Sequence, residues 1–152
     1  MNNLCDLNNL NIVIVEDNIE IKNKVQKFLN NLESISSVES NLVENGVAIK
    51  DDENNIYGFI TYENYNEYGL IRYFIFQKQI EIDYIYQMFK ELCIVAKQRG
   101  YHALISIGKN QEVINLFTDL DFKVIDKTNF LIGGKTIIGT DLESASILKY
   151  DL

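Results

Sequence analysis

The sequence has no proline and few histidines and cysteines. Average use of proline is about 5% of residues, whereas Asn, Ile, Lys and Tyr are frequent here, a bias that A/T-rich codons explain. The single His102 has no metal-ligand spacing beside it, and Cys5 and Cys93 lie too far apart to form a metal motif. We therefore expect no metal site and no Ser-His-Asp relay, and we expect a buried free thiol at Cys93.

Basic residues are also scarce, with 14 Lys and Arg against 22 Asp and Glu and a net charge of -8. Because no basic stripe is present, we expect no nucleic-acid partner, while a cationic amine would be tolerated. No apolar run approaches the ~20 residues of a membrane span. The segment Met1–Asp6 lacks the basic patch and apolar stretch of a secretory signal. We expect a cytoplasmic protein with no membrane partner.

What is present is the composition of a globular domain, with 47% hydrophobic and 24% charged residues. A chain of about 150 residues buries roughly 68–70% of its unfolded surface, so it needs no disulfide or metal for stability. No linker, repeat or low-complexity block divides the sequence. We predict one domain, residues 1–152.

Apolar periodicity predicts alternating strands and helices. The predicted strands are 11–16, 43–50, 56–63, 70–76, 102–107, 122–132 and 145–152, with a turn at 133–134. The predicted helices are 18–32, 81–99 and 110–120, and 34–41 is a loop or short helix. The apolar stripe of the second helix is Ile82, Ile85, Phe89, Leu92 and Ala96. Gly100 suits the C-terminal cap of this helix, and Asn110 suits the N-terminal cap of the next.

The order of these elements predicts a mixed sheet. Segments 43–50, 56–63 and 70–76 are joined by short polar turns and form an antiparallel meander. Strands 70–76 and 102–107 are predicted to be parallel, because a helix crosses over between them. The fold class is therefore α/β, or α+β, with a mostly antiparallel mixed sheet and helices on both faces.

The segment Ile12–Asn18 resembles the opening of a two-component receiver domain, in which an acidic pair after the first strand holds Mg²⁺. That fold needs alternating strands and helices and a later strand that ends in a phospho-accepting Asp. The meander at 43–76 supplies neither. We interpret Glu16 and Asp17 as the end of a strand followed by a helix N-terminus.

From residue 70 onward the sequence resembles the GNAT superfamily of N-acetyltransferases. Strand 70–76, the helix that ends at Gly100, and strand 102–107 match the coenzyme-binding core of that family. The family often shows a pattern of Asn, any two residues, Ala-Ile, any one residue and Leu-Tyr, followed a little later by Gly-Phe. Here residues 110–117 read NQEVINLF, and residues 120–122 read LDF. The ending ILKYDL also resembles the last strand of the family. The resemblance implies a GNAT-like fold over nearly the whole chain, with one splayed parallel pair.

The resemblance also implies an activity: transfer of an acetyl or acyl group from acetyl-CoA, without a metal, to an amine on a small molecule or peptide. Pantetheine would pair with the exposed edge of the central strand, and a backbone N–H near its end would polarise the thioester carbonyl. The implied coenzyme contacts are Ile75, Phe76, Gln77, Ile82, Asp83, Ile85, Asn110 and Phe117. An exposed strand edge near the C-terminus would allow a homodimer.

Two side chains are candidates for catalysis in such a cleft. Glu63 is the candidate general base, with a solvated strand-end charge as the alternative role. Tyr73 is the second candidate, and a core or cleft-wall aromatic is its alternative. Asn110 likewise has a purely structural alternative as a helix cap.

Three departures from the family pattern bear on this activity. The family carries Gln/Arg-x-x-Gly-x-Gly/Ala where residues 80–85 read IEIDYI, so Asp83 and Ile85 fill both glycine positions. Glu81 and Asp83 therefore place two carboxylates where the pyrophosphate is expected at the helix N-terminus, and Lys78 and Lys109 are the cations that offset them. Phe117 replaces a Tyr that serves as general acid in many members.

The third departure is Asp121, which replaces the Gly before Phe122. Together the three leave a second hypothesis open, a catalytically inactive GNAT-fold protein that binds or regulates a partner.

Overall fold

The computed structural model of the chain describes residues 9–16, 18–32, 40–65, 68–126, 131–132, 135–136 and 145–152. The elements are β1 Asn11–Ile14, α1 Ile19–Asn30, α2 Ser40–Glu44, β2 Val47–Lys50, β3 Ile56–Tyr65, β4 Tyr68–Phe76, α3 Ile82–Gln98, β5 Ala103–Gly108, α4 Gln111–Asp119, β6 Lys123–Ile125, β7 Leu131–Ile132, β8 Lys135–Thr136 and β9 Ser146–Asp151. Among these residues, no helix combines the length and apolar character that crossing a membrane requires.

The three predicted long helices are present, each within a few residues of its expected ends. The predicted strand at 43–50 is wrong for its first four residues, because α2 continues to Glu44 and β2 begins only at Val47. Leu42 and Val43 are buried in this short helix, and a short apolar run does not distinguish helix from strand. The predicted strand 122–132 contains two short strands, β6 and β7, with 127–130 outside the described residues. The segment 33–39 and the turn at 133–134 also lie outside them.

Seven strands form one sheet in the order β1-β2-β3-β4-β5-β9-β6, and β7 and β8 form a separate pair. Among the registers of the described residues, β4 with β5 is parallel, and the others are antiparallel. The parallel register joins residues 68–70 to residues 103–105. The predicted mixed sheet and its parallel pair are therefore confirmed.

The described residues group into two compact units. The first unit lies within 1–62 and 72–95, and the second within 63–71 and 96–152. We describe each unit on its own, and the single domain expected from composition stays a prediction.

In the first unit, α1 packs its apolar stripe on one face of the sheet. Asn18 caps the start of the helix, and its side-chain oxygen accepts a hydrogen bond from the Ile21 amide at 3.1 Å. Ile21, Val25 and Leu29 are fully buried against a cluster that includes Phe59. Lys22 of α1 also pairs with Glu44 of α2 at 2.5 Å.

The second face of this sheet is buried as well. Ala48 lies opposite Phe59 on the face that meets α1, and the neighbouring pair Val47 and Ile60 faces the other way because side chains alternate along a strand. Both residues of that second pair are completely buried. Gly46 precedes β2 at a close approach, since a Cβ there would fall 2.3 Å from the Phe59 ring.

The second unit is built on β5, which lies between β4 and β9 in the sheet. Its core contains Leu70, Ile105 and Ile147, one from each of these strands. Four consecutive residues of β5, 103–106, are buried, which is the pattern of a central strand covered on both faces.

Candidate functional site

The end of β4 directs its backbone amides in two opposite directions. The Gln77 N–H donates to the Tyr57 carbonyl of β3 at 2.9 Å. A Cβ on Gly58 would lie 3.4 Å from the Phe76 Cβ, so Gly58 and Phe76 are directly opposite each other. In an antiparallel pair, alternate residues point their N–H groups toward and away from the partner. The Phe76 amide is therefore directed to the edge of β4 that is remote from β3.

This alternation separates the three amides that the resemblance placed at the coenzyme. The Gln77 amide is used by the sheet, and the Ile75 amide lies on the same side, toward β3. Of the three, Phe76 presents its N–H to the other edge. A strand edge with an outward N–H is the arrangement that accepts a further hydrogen-bonding segment.

Tyr73 and Ile75 point their side chains into the first unit. Both are partly buried and pack against the cluster around Phe59 and α1. The Arg72 guanidinium carbon lies 6.0 Å from the centroid of the Tyr73 ring. Tyr73 thus has the packing of a core aromatic, and its catalytic role stays a prediction.

A tight loop joins β4 to α3. The Ile80 amide donates to the Gln77 carbonyl at 3.2 Å, and the Tyr84 amide donates to the Glu81 carbonyl at 3.1 Å. Ile80 is 7% exposed and Ile85 is 2% exposed, so the apolar side chains on both sides of the helix start are fixed in the protein interior.

Ile85 belongs to the buried stripe of α3, and its contact with a coenzyme stays a prediction. The expectation for Ile82 needs correction, because it was assigned to that stripe and is 51% exposed. The reason is that Ile82 is the first residue of α3 and precedes the turn that enters the core. The rest of the predicted stripe, Phe89, Leu92 and Ala96, is buried as expected.

The charge at the start of α3 is negative. Glu81 and Asp83 are both exposed, and Asp83 lies in the first helical turn. A carboxylate there is stabilised by the unsatisfied N–H groups and the dipole of the helix, which are the groups that bind a phosphate in other proteins. Lys78, also exposed, is the only described cation between residues 77 and 86. The outward amide of β4 fits a pantetheine arm, but this turn does not fit a diphosphate.

The second unit contains the remaining candidates, Glu63, Asn110 and Phe117. Glu63 lies in β3 and is half-buried. Asn110 caps α4 as predicted, since its side-chain oxygen accepts a hydrogen bond from the Val113 amide at 2.9 Å. Phe117 is 3% exposed and packs edge-to-face on Phe122, with ring centroids 5.0 Å apart. The contacts of Asn110 and Phe117 with a coenzyme stay predictions.

Asp121 keeps the backbone conformation that glycine favours. Its φ is 72°, in the left-handed region. The Asp121 amide donates to the Thr118 carbonyl at 3.0 Å, and the Phe122 amide donates to the Phe117 carbonyl at 3.0 Å. These two bonds, with the contact between the two Phe rings, form a Schellman motif at the end of α4. The position that the resemblance aligned with a family glycine therefore has a glycine-like backbone.

Cys93 is half-buried, which is less than the full burial expected from the sequence. It is a free cysteine on α3, and burial raises its pKa to about 12 although Lys90 acts in the opposite direction. A thiol with so high a pKa carries almost no thiolate at neutral pH. In the part of the chain that the structure describes, no three His, Cys, Asp or Glu residues are grouped to hold a metal ion.

One polar cluster was not foreseen. Asp51, at the turn between β2 and β3, is 7% exposed and accepts hydrogen bonds from four donors. The donors are the Glu53 and Asn55 amides, the Asn55 side chain and the Tyr57 hydroxyl. The sequence signal was an Asp followed four residues later by Asn inside a turn, which is typical of side-chain to backbone hydrogen bonding.

Comparison with known proteins identifies the fold through solved structures. No family model matches the sequence, and a search of curated proteins finds no match. A GNAT-family acetyltransferase from Staphylococcus aureus Mu50 is similar with a TM-score of 0.64, 13% identity, and coverage of 94% of this chain and 99% of that one. The Escherichia coli GNAT-family N-acetyltransferase YhbS, solved with CoA, has a TM-score of 0.60, 15% identity, and coverage of 93% and 79%.

A third similar structure is N-acetylglutamate synthase from Neisseria gonorrhoeae, solved with coenzyme A and N-acetyl-glutamate. Its TM-score is 0.67, with 14% identity and coverage of 94% of this chain. This chain spans only 35% of the length of the synthase. At these identities the likeness concerns architecture, and it agrees with the order of strands and the parallel pair described above. The chain therefore has the GNAT N-acetyltransferase fold.

Proposed function

We propose that this protein transfers an acyl group, in the first instance acetyl, from a coenzyme A thioester to an amine acceptor. The supporting observation is the outward amide of Phe76 at the end of β4, the central strand of a GNAT fold. Similar structures solved with CoA support a thioester donor. The proposed reaction needs no metal ion.

In the proposed reaction, the Phe76 N–H donates a hydrogen bond to the thioester carbonyl oxygen. A neutral amine then attacks the carbonyl carbon, and the negative charge that develops on the oxygen is stabilised by this amide as in an oxyanion hole. The attacking nitrogen then loses a proton to water, and collapse of the tetrahedral intermediate breaks the C–S bond and releases a thiolate and the neutral amide product. A backbone donor needs no particular side chain, so this step is compatible with a divergent sequence.

Two further proton transfers complete the reaction. The ammonium form of the acceptor must lose a proton before attack, and we assign this step to the Glu63 carboxylate. The released thiolate takes its proton from water, because Phe117 has no hydroxyl and is packed against Phe122. Tyr73 is proposed only as a wall of the acceptor site.

The acceptor is proposed to be a small molecule or peptide that carries a primary amine. Structures with this fold have been solved with N-acetyl-glutamate and with L-arginine, both ligands of the gonococcal synthase. The acidic net charge of -8 favours a cationic amine. We further propose that the protein acts in the cytoplasm, where acetyl-CoA is available, and that two copies pair through a sheet edge.

The proposal is tested with two substitutions at one position. Phe76→Pro removes the outward N–H, whereas Phe76→Ala removes the ring and keeps the N–H. We expect purified protein to consume acetyl-CoA in the presence of an amine panel, and the Pro variant to be slower than the Ala variant by about 10²-fold or more, the usual loss of one oxyanion donor. The readout is thiol release, with far-UV circular dichroism to verify folding. Equal rates for two folded variants would contradict the role of the Phe76 amide.

One observation favours a second candidate, a GNAT-fold protein that binds a ligand without catalysis. It is the combination of a buried Phe117 with the two carboxylates at the start of α3. Binding of acetyl-CoA without turnover of any amine would favour this candidate over the transferase.

A further inference from the structure

The two halves of the candidate donor site differ in what they offer a coenzyme. The β4 edge at Phe76 offers a backbone N–H, which suits the amides and carbonyls of a pantetheine arm. The first turn of α3 offers two exposed carboxylates, Glu81 and Asp83, and an exposed apolar side chain, Ile82. These halves lie within one compact unit, separated by the five residues 77–81.

Asp83 takes the role that a phosphate has at other helix starts. It is the second residue of α3, and the N–H groups at the start of a helix lack the i to i−4 partners that later residues have. A negative group there is stabilised by the helix dipole, and this stabilisation is already provided by Asp83 itself. A diphosphate at the same place would meet the charges of both Asp83 and Glu81, and between residues 77 and 86 only Lys78 opposes them.

Buried neighbours hold the backbone that carries the two carboxylates. Ile80 precedes Glu81 and is 7% exposed, and Ile85 follows Asp83 and is 2% exposed. The Ile80 and Tyr84 amides are also held by the Gln77 and Glu81 carbonyls. The backbone between the two isoleucines is therefore fixed, and both carboxylates remain attached at the start of α3 whichever rotamers their exposed side chains adopt.

We propose that the donor is selected through its thioester and pantetheine arm, and that its nucleotide diphosphate contributes no net affinity. The natural donor class then includes acyl-pantetheine thioesters without a nucleotide. This inference rests on the proposed function, because it concerns the donor of that same reaction.

The test compares two donors by isothermal titration with the full chain at about 20 mM salt, where surface charges are weakly screened. The probes are acetyl-CoA and S-acetylpantetheine, which lacks all phosphates. We expect dissociation constants within about threefold of each other, a difference of less than 1 kcal/mol by the usual conversion. Acetyl-CoA binding tighter by about thirtyfold or more would overturn the inference and leave the transferase proposal intact. Binding of neither thioester would overturn the transferase proposal itself.

A double variant tests the electrostatic cause. Glu81→Gln with Asp83→Asn keeps the size of both exposed side chains and removes both charges. We expect acetyl-CoA affinity to rise by about tenfold or more, with S-acetylpantetheine affinity changed by less than about twofold. The control is Glu20→Gln with Glu53→Gln, which removes two exposed carboxylates elsewhere in the same unit. Equal gains in the two double variants, or no gain in either, would contradict our account of this turn.

Discussion

At the residue scale, the Asp51 carboxylate organises the turn between β2 and β3. Burial acts to raise its pKa, but the hydrogen bonds from Asn55, Glu53 and Tyr57 together outweigh burial and lower the pKa below its usual value of 3.8. Since the folded state holds the ionised form more strongly than the unfolded state does, ionisation of Asp51 contributes to stability. That contribution is complete above about pH 4 and is lost as the pH falls through the lowered pKa.

We expect Asp51→Asn to reduce the free energy of unfolding by about 1–2 kcal/mol at pH 7, because charge-assisted hydrogen bonds become neutral ones. The difference between the two proteins should be smaller at about pH 3 than at pH 7, because the stabilisation by the ionised carboxylate is lost as the pH falls through the lowered pKa. Urea unfolding at both pH values measures this difference. A loss of the same size at both would show that the charge of Asp51 has no part in the effect.

Glu63 is the residue on which the proposed proton transfer depends. If it is the general base, Glu63→Gln should lower kcat/KM for an amine by about 10²-fold and change the shape of the pH–rate profile. Glu112→Gln, which removes one exposed carboxylate from α4 of the same unit, is the control and should leave the profile unchanged. An unchanged profile in Glu63→Gln would assign the base to another group.

At the scale of elements, α3 and α4 end in the same way with different residues. Gly100 has a φ of 93°, and the Tyr101 amide donates to the Ala96 carbonyl at 3.1 Å, as the Phe122 amide does to Phe117 in α4. A left-handed residue with a Cβ is strained, and glycine is not. Gly100 and Asp121 therefore occupy equivalent positions, and replacing Gly by Ala at one and Asp by Gly at the other should change stability in opposite directions.

We expect Asp121→Gly to stabilise the protein by about 0.5–1 kcal/mol and Gly100→Ala to destabilise it by about 1 kcal/mol. A Cβ at Gly100 would meet nothing within 4 Å, so that loss comes from backbone conformation alone. Asp121→Asn is the matched control and should be nearly neutral, because Asn also tolerates this conformation. Equilibrium unfolding in urea measures all three. A destabilised Asp121→Gly would mean that the Asp side chain makes a contribution beyond its backbone geometry.

At the scale of the whole molecule, the sequence predicted helices and strands well where a regular apolar period extends over several turns. The stripe of α3 is such a signal, and it corresponds to an observed helix. The start of β2 was not predictable, because Leu42 and Val43 are apolar in a helix of only five residues. Short apolar runs carry no period.

The candidate site was less predictable than the fold. The direction of an amide depends on the register between strands, and one residue of slip would exchange Phe76 with Ile75 or Gln77. Ile85 belonged to two patterns at once, a family loop and an apolar stripe, and the structure assigns it to the stripe. The left-handed backbone of Asp121 was visible only indirectly, through the glycine that the family has there.

The two units are not divided at a single point in the sequence, because each is built from two separate segments. The first unit needs residues up to 95, and the second begins at 63 and needs β9, which pairs with β5 through residues 146–151. During synthesis on the ribosome, the second unit therefore stays without its central ladder until the last strand has emerged from the exit tunnel. A chain that lacks β9 would expose the edge of β5 that pairs with residues 146–151, whereas the other edge of β5 pairs with β4.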